Sequence, residues 1–268
     1  MTARKAIFIT GGASGIGRAI GELFAERGWF VGLADIDTAT MAQAGAALPE
    51  GGGSTHRLDV RDRAAWDEAL AEFTAASGGR LDAMANNAGI PLGGALADNS
   101  VAEIERCLDV NLKGAIFGAQ AALPFLRSSA PGSCLLNTAS AAGIYGTSGA
   151  SVYSATKFGV RALTESLDGE WAEYGIKVRS LMPAFIDTPL LAHAPNQRSN
   201  EAIRDRVRAA GLEITPVTEV AKAAWDAVHG DRLHTLVGAT ARRLAFGARW
   251  MPGRLRREAA KSARAMGK

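Results

Sequence analysis

Several features are scarce in this chain, and each scarcity excludes a class of protein. Its 268 residues include two cysteines, too few to staple a fold or to build a thiolate metal centre. Cys134 sits in an apolar run and Cys107 in a helical pattern. Both therefore read as reduced packing residues of a cytoplasmic protein, and no metal is expected. No apolar run approaches the roughly 18 residues needed to cross a bilayer. The opening stretch MTARKAIFIT has too short an apolar segment for a secretory signal, so none is expected. Internal repeats and low-complexity linkers are lacking as well. What remains is ordinary globular composition, 47% hydrophobic and 21% charged residues, enough to bury a large core without covalent help.

Excess charge is also small, a net of +3, but it is unevenly spread. Residues 240–268 hold nine Lys and Arg against one Glu, a net of +8; residues 1–239 are left with 21 basic and 26 acidic side chains, a net of −5. Basicity belongs to the tail, so no nucleic-acid partner is expected for the body.

Short apolar runs rich in branched residues alternate with helical patterns along the body. Strands are predicted at 5–10, 29–34, 54–59, 81–86, 133–138, 176–182 and 233–237, and helices near 15–27, 38–48, 62–76, 100–127, 151–174 and 216–229. This rhythm predicts an α/β fold: a doubly wound, mostly parallel, seven-stranded sheet with helices on both faces. Ligands bind such sheets beyond the carboxyl ends of the strands. Residues 1–239 are expected to form that domain. Within it, the polar stretch 184–215 breaks the rhythm and is expected to act as a substrate loop or lid, the alternative being a permanently folded helix over 199–210.

TGGASGIG (10–17) follows the first strand and opens a helix. Gly11 suits a sharp turn, Gly15 a close approach of backbone to phosphate, and Gly17 tight packing of helix on strand. A pyrophosphate on that helix N-terminus would meet free N–H groups and the positive end of the dipole. Asp35 closes the second strand, 18 positions beyond Gly17. There it either holds the hydroxyls of an adenosine ribose or caps the next helix. A carboxylate repels a 2′-phosphate, and neither Ser14 nor Ile36 compensates, which favours NAD over NADP.

Further motifs follow in order: LDV (58–60), NNAG (86–89), Asn111 in VNLKG, Ser140, and Tyr153 with Lys157 in YSATK, Tyr153 standing 13 positions after Ser140. On these residues the chain, over about 5–239, resembles the short-chain dehydrogenase/reductase family, whose fold is of the Rossmann type. The resemblance implies hydride transfer between a nicotinamide and an alcohol or carbonyl carbon. Such chemistry needs a proton donor and acceptor at the substrate oxygen. Tyr153 would serve as that general acid/base. Lys157, one helical turn on, would draw its pKa down and hold the nicotinamide ribose. Ser140 would hydrogen-bond the substrate oxygen, and Asn111 would bind a water that relays the proton. By the same resemblance Gly11, Ser14, Gly15, Ile16, Gly17 and Asp35 hold the cofactor, Asp59 and Val60 the adenine, and Asn86, Ala88 and Gly89 the adenosine side. Pro183, Ile186 and Thr188 would hold the carboxamide. Ala184 stands where the family usually has glycine, at a cost of about 1 kcal/mol if that turn needs positive φ.

The substrate end is read from side-chain type. Ile90, Leu92, Ile144, Tyr145, Phe185, Leu190 and Leu191 are apolar or aromatic, with no cation placed for a carboxylate. The expected substrate is a hydrophobic secondary alcohol or ketone, bulky ones included; His193 reads as a loop residue. NAD is the expected cofactor and NADP the alternative. The competing readings are an NADPH-preferring carbonyl reductase, an NAD-using epimerase or lyase, and an inactive nucleotide-binding scaffold protein. A homotetramer, or else a dimer, is expected from the family through helices near 100–127 and 151–174. The tail 240–268 interleaves Leu244, Phe246, Trp250, Met251 and Leu255 with Arg and is expected to form an amphipathic helix broken at Pro252. Packing on a neighbouring subunit is its first candidate role, weak membrane-surface contact its second and a disordered basic extension its third.

Overall fold

The computed structural model describes residues 4–266, and the side chains of 4–261. Met1–Ala3 of the opening stretch and the last two residues of the tail lie outside the described residues. Seven parallel strands are ordered β3-β2-β1-β4-β5-β6-β7: β1 (Ala6–Thr10), β2 (Phe30–Asp35), β3 (Gly53–Arg57), β4 (Ala83–Asn86), β5 (Cys134–Thr138), β6 (Lys177–Pro183) and β7 (His234–Val237). Chain order reverses between β1 and β4, which opens a crevice at their carboxyl ends.

Alternation along β1 divides the core. Ile7 and Ile9 face one layer, where they meet Ile20 and Phe24 of α1 (Gly15–Glu26) and Val220 and Ala224 of α8 (Val217–His229). Ala6 and Phe8 face the other, against Trp66, Leu70 and Phe73 of α3 (Arg63–Ala76) and Leu126 of α5 (Gly114–Ser128). Strands buried on both faces need apolar side chains throughout, and β1, β4 and β5 are fully buried. The edge strands are the exceptions: β3 is polar with only His56 buried, and β7 is half-buried except at Val237. α2 (Thr38–Ala46) packs on β2 and β3.

The helix expected over 100–127 is interrupted. α4 (Val101–Leu108) and α5 are joined by a wider π-turn, Asp109–Lys113. α6 (Ser151–Glu170) then carries the Tyr and Lys of interest. The stretch expected as a lid is folded, with a short turn at Pro189–Ala192 and α7 (Ile203–Ala209). Leu191, Val207 and Thr215 are buried within it. Asn196 reaches across to donate to the Gly93 carbonyl at 2.9 Å. After β7 the tail forms α9 (Ala239–Trp250) and α10 (Pro252–Met266), broken at Pro252 as expected. The described residues contain no helix long and apolar enough to cross a membrane.

Candidate active site

The reversal between β1 and β4 opens into a cleft of about 680 Å³, a size suited to a small organic ligand. Its first wall is the loop after β1. Gly11 turns with φ +66°, a left-handed conformation that disfavours any side chain. A Cβ on Gly17 would stand 2.2 Å from the Gly11 carbonyl oxygen, so only glycine lets α1 lie this close to the loop. Thr10 ties the loop to its neighbour: its hydroxyl accepts from the backbone N–H groups of Asn87 and Ala88 at 3.0 and 3.1 Å. Ser14 precedes α1 in extended conformation without a side-chain capping bond. The first-turn N–H groups of α1 therefore face the cleft unclaimed by a cap and suit an anion.

Asp35 ends β2 beside this loop. Its carboxylate accepts from Ala13 N at 3.2 Å and Asp37 N at 3.1 Å, while Asp37 caps α2 through Thr40 N. Capping is therefore not the task of Asp35, which leaves its carboxylate at the cleft wall. Farther along, Asp59 is paired with Arg61 at 2.6 Å, and that guanidinium holds its carboxyl below the usual range. Val60, Arg106 and Val110 line the cavity as well.

The second wall carries the reactive groups. β5 ends at Thr138, which brings Ser140 to the strand terminus, and α6 places Tyr153 and Lys157 one turn apart beside it. Ser140 Oγ accepts from Ala142 N at 3.2 Å and donates to the Pro183 carbonyl at 3.4 Å. Lys157 is only 4% exposed; its ammonium donates to the Thr138 carbonyl at 2.8 Å and lies 5.6 Å from the centre of the Tyr153 ring. Burial dominates both pKa values. It pushes the Tyr153 phenol up, against the opposing pull of the Ser140 hydrogen bond, and brings Lys157 down to about 8. Desolvation is the largest influence on the Tyr153 phenol, and the opposing pull comes from Ser140 rather than from Lys157.

Asn111 does not line the cleft. Buried in the π-turn, its side chain clamps the chain at Ile90, accepting from the backbone N–H at 2.8 Å and donating to the carbonyl at 2.9 Å. Asn86 also turns inward, donating to Ala115 O and Asn137 Oδ1 at 2.9 and 3.0 Å; Asn87, one residue on, lines the cleft in its place. Gly17 stands behind Gly11, close enough to shape the loop without facing the cavity. Of the residues expected for the substrate end, Ile90, Leu190 and Leu191 line the cavity, whereas Leu92, Ile144, Tyr145 and Phe185 do not. Ile144 packs instead against the small cluster around Val160 and Met182.

The remaining expected cofactor residues, Gly11, Ser14, Gly15, Ile16, Ala88, Gly89, Pro183, Ile186 and Thr188, face the cleft with the reactive trio. Ala184 joins them at no conformational cost, since no non-glycine residue among those described has positive φ. Sequence reading missed Arg106 and took His193 as a loop residue only; both line the cavity. Arg106 had a readable signal, one helical turn before Val110. His193 depends on how 184–215 folds. Both cysteines are buried free thiols; burial raises Cys107 and pushes Cys134 up to about 12, so neither is nucleophilic near neutral pH. No metal-binding cluster occurs among the described residues.

Comparison with known proteins supports the family resemblance. The family model described as short chain dehydrogenase matches residues 5–199. A 2,5-dichloro-2,5-cyclohexadiene-1,4-diol dehydrogenase of Sphingobium indicum is 35% identical over 195 residues, 72% of this chain and 77% of the relative. An uncharacterized oxidoreductase of Staphylococcus aureus is 34% identical over 212 residues, 79% of this chain and 91% of the relative. Among solved structures, levodione reductase superposes with a TM-score of 0.80 at 27% identity, covering 90% of this chain and 98% of that one. A short-chain dehydrogenase/reductase from Burkholderia phymatum, in complex with NAD, gives 0.83 at 26% identity over 96% and 97%.

Proposed function

Because this chain belongs to the short-chain dehydrogenase/reductase family of oxidoreductases, we propose that it transfers hydride between NAD and a hydrophobic, ring-sized secondary alcohol or ketone. The observation that carries the reading is the meeting of Ser140, Tyr153 and Lys157 in one cleft with the first-turn N–H groups of α1 and the Asp35 carboxylate. The glycine cradle and the uncapped start of α1 fit a pyrophosphate, and Asp35 fits an unphosphorylated ribose. When bound, the nicotinamide supplies the hydride donor or acceptor and leaves the proton to the protein.

That proton falls to the Tyr153 phenol. In the oxidising direction the phenolate accepts the proton of the substrate hydroxyl; in the reducing direction the phenol returns it to the forming alkoxide. Ser140 Oγ, already beside the phenol, donates to the substrate oxygen and stabilises developing negative charge. Lys157 holds ribose hydroxyls and steadies the phenolate electrostatically. Asn111 acts at one remove, by fixing the backbone of Ile90 where it borders the substrate.

The size and polarity of the substrate follow from the lining. Ile90, Leu190 and Leu191 are apolar, Arg61 is engaged by Asp59, and Lys157 belongs to the reactive trio; Arg106 and His193 are the other basic side chains of the lining, and its apolar share supports a hydrophobic substrate. The cyclohexadienediol in the name of the Sphingobium relative supports an alicyclic substrate. NAD in the Burkholderia complex supports the cofactor assignment. Leu108, Ile116 and Phe158 are exposed on α4, α5 and α6, which supports a homotetramer or dimer built on those helices. The buried thiols suit a reducing, cytoplasmic setting.

A panel of alicyclic and aryl alcohols and ketones, assayed with both nicotinamide cofactors, tests the proposal. Turnover with NAD is expected to exceed that with NADP, and Asp35→Ala is expected to narrow the gap. Tyr153→Phe is expected to lower kcat by about 10²–10⁴-fold with the fold intact. Turnover confined to small anionic oxo-acids, or unchanged by Tyr153→Phe, would overturn it.

A further inference from the structure

We propose that α9 and α10 form a docking surface for anionic lipid membranes, set beside the substrate loop. This goes beyond the catalytic reading and does not depend on it. Arg242, Phe246, Arg249 and Trp250 recur at helical spacing and share one stripe of α9. The opposite side of α9 is spoken for: Ala241 and Gly247 are buried, and Leu255 of α10 packs on Gly247. The stripe itself is not. Phe246 is 58% and Trp250 65% exposed, with Met251 exposed next to them. The Arg249 guanidinium lies 5.2 Å from the Trp250 ring, so charge and aromatic surface are presented together.

Charge decides between the available occupants. Glu258, the one acidic residue of the tail, is paired with Arg254 at 2.8 Å. Among the described residues, no carboxylate forms an ion pair with Arg242, Arg243, Arg249, Arg256 or Arg257. A second copy docked by two-fold symmetry would set this cationic face against itself. An anionic bilayer meets the arginines with phosphates while Phe246, Trp250 and Met251 enter the boundary between headgroups and acyl chains. A convex helical stripe, with no groove to track a strand, suits a flat lipid surface better than a polynucleotide.

The surface is fixed to the catalytic body at two points. Ser148 Oγ donates to the Ala259 carbonyl at 3.0 Å, joining α10 to the loop that enters α6. The Glu213 carboxylate accepts from Ala239 N at 2.8 Å, joining the start of α9 to the end of the substrate loop. Docking there would hold the substrate side of the protein near the membrane.

The test is co-sedimentation of the full chain with vesicles of phosphatidylcholine alone or mixed with phosphatidylglycerol. Pelleting is expected with the anionic vesicles at low salt, little with phosphatidylcholine, and release at high salt. Phe246→Ser with Trp250→Ser, and separately Arg242→Gln with Arg249→Gln, are each expected to weaken binding about tenfold with the unfolding midpoint and soluble-substrate turnover unchanged. Equal binding to both vesicle types, or no binding to either, overturns the proposal. So does a fall in assembly mass by light scattering in the Phe246/Trp250 variant, which would make the stripe a subunit contact. Binding to single-stranded polynucleotide without binding to vesicles also overturns it.

Discussion

Tyr153 and Lys157 show how burial sets the terms of proton transfer. Both lose hydration in the cleft floor, and each is pushed toward its neutral form: the phenol up, the ammonium down to about 8. A phenol held above its ordinary value is a ready acid and a scarce base at neutral pH. Alcohol oxidation is therefore expected to quicken as pH rises from 6 to 9, while carbonyl reduction stays level over that range. Initial rates in both directions across that interval check this, and an oxidation profile that is flat would contradict it. Lys157 adds a stability effect of defined sign. Its folded pKa, about 8, lies below the ordinary 10.5, so between those values the unfolded chain binds more protons than the folded one. Stability then rises with pH across that window, and below it the buried charge costs up to about 3 kcal/mol. Lys157→Met lacks this dependence. Chemical denaturation at pH 7.5 and pH 9.5 is expected to show the wild type gaining on the variant, and parallel curves would refute the assignment.

The elements that carry these residues were unequally visible in the sequence. β1, β4 and β5 were legible because strands covered on both faces must be apolar throughout. The glycine loop was legible because close packing admits no Cβ. Asn111 stood out in the sequence for a water relay, whereas in the structure its side chain holds the backbone of Ile90. Apolar periodicity over 100–127 reads as one helix, and one wider turn inside it leaves almost no trace in spacing. That turn directs Asn111 to Ile90. The position of Asn86 also depends on a one-residue difference, since successive residues at the end of β4 point to opposite sides. The fold of 184–215 rests on contacts with Gly93 and Glu103, distant in sequence, and no local pattern announces them. Glycine at 17 offers the sharpest test at this scale. A Cβ there would clash with the backbone carbonyl of Gly11 rather than with a flexible side chain, so loop and helix must separate. Gly17→Ala is expected to lower stability by about 1–3 kcal/mol and to weaken NAD binding more than Gly78→Ala weakens it. Gly78, outside the cleft lining, has open space around it and φ +73°, so its replacement shows the cost of left-handed strain without a clash.

At the scale of the whole molecule, charge and apolar surface are sorted to different places. The basic tail takes the positive excess, and the body is left mildly acidic. The exposed apolar side chains outside the tail include Val101 and Leu108 on α4, Ile116 on α5 and Phe158 on α6, neighbouring elements in the fold. Single exposed apolar residues need no explanation, but several on adjoining helices are what the proposed subunit contact would cover. A two-fold contact would set these helices against their own copies, with apolar groups at its centre and ion pairs such as Lys113–Asp109 at its edge. A carboxylate placed there would face its symmetry mate in a desolvated contact, where repulsion is strong. Ile116→Glu is therefore expected to reduce the mass measured by light scattering to a smaller assembly while the monomer stays folded by circular dichroism. The residue is exposed in the single chain, so its replacement leaves no cavity. An unchanged mass would remove these helices from the interface.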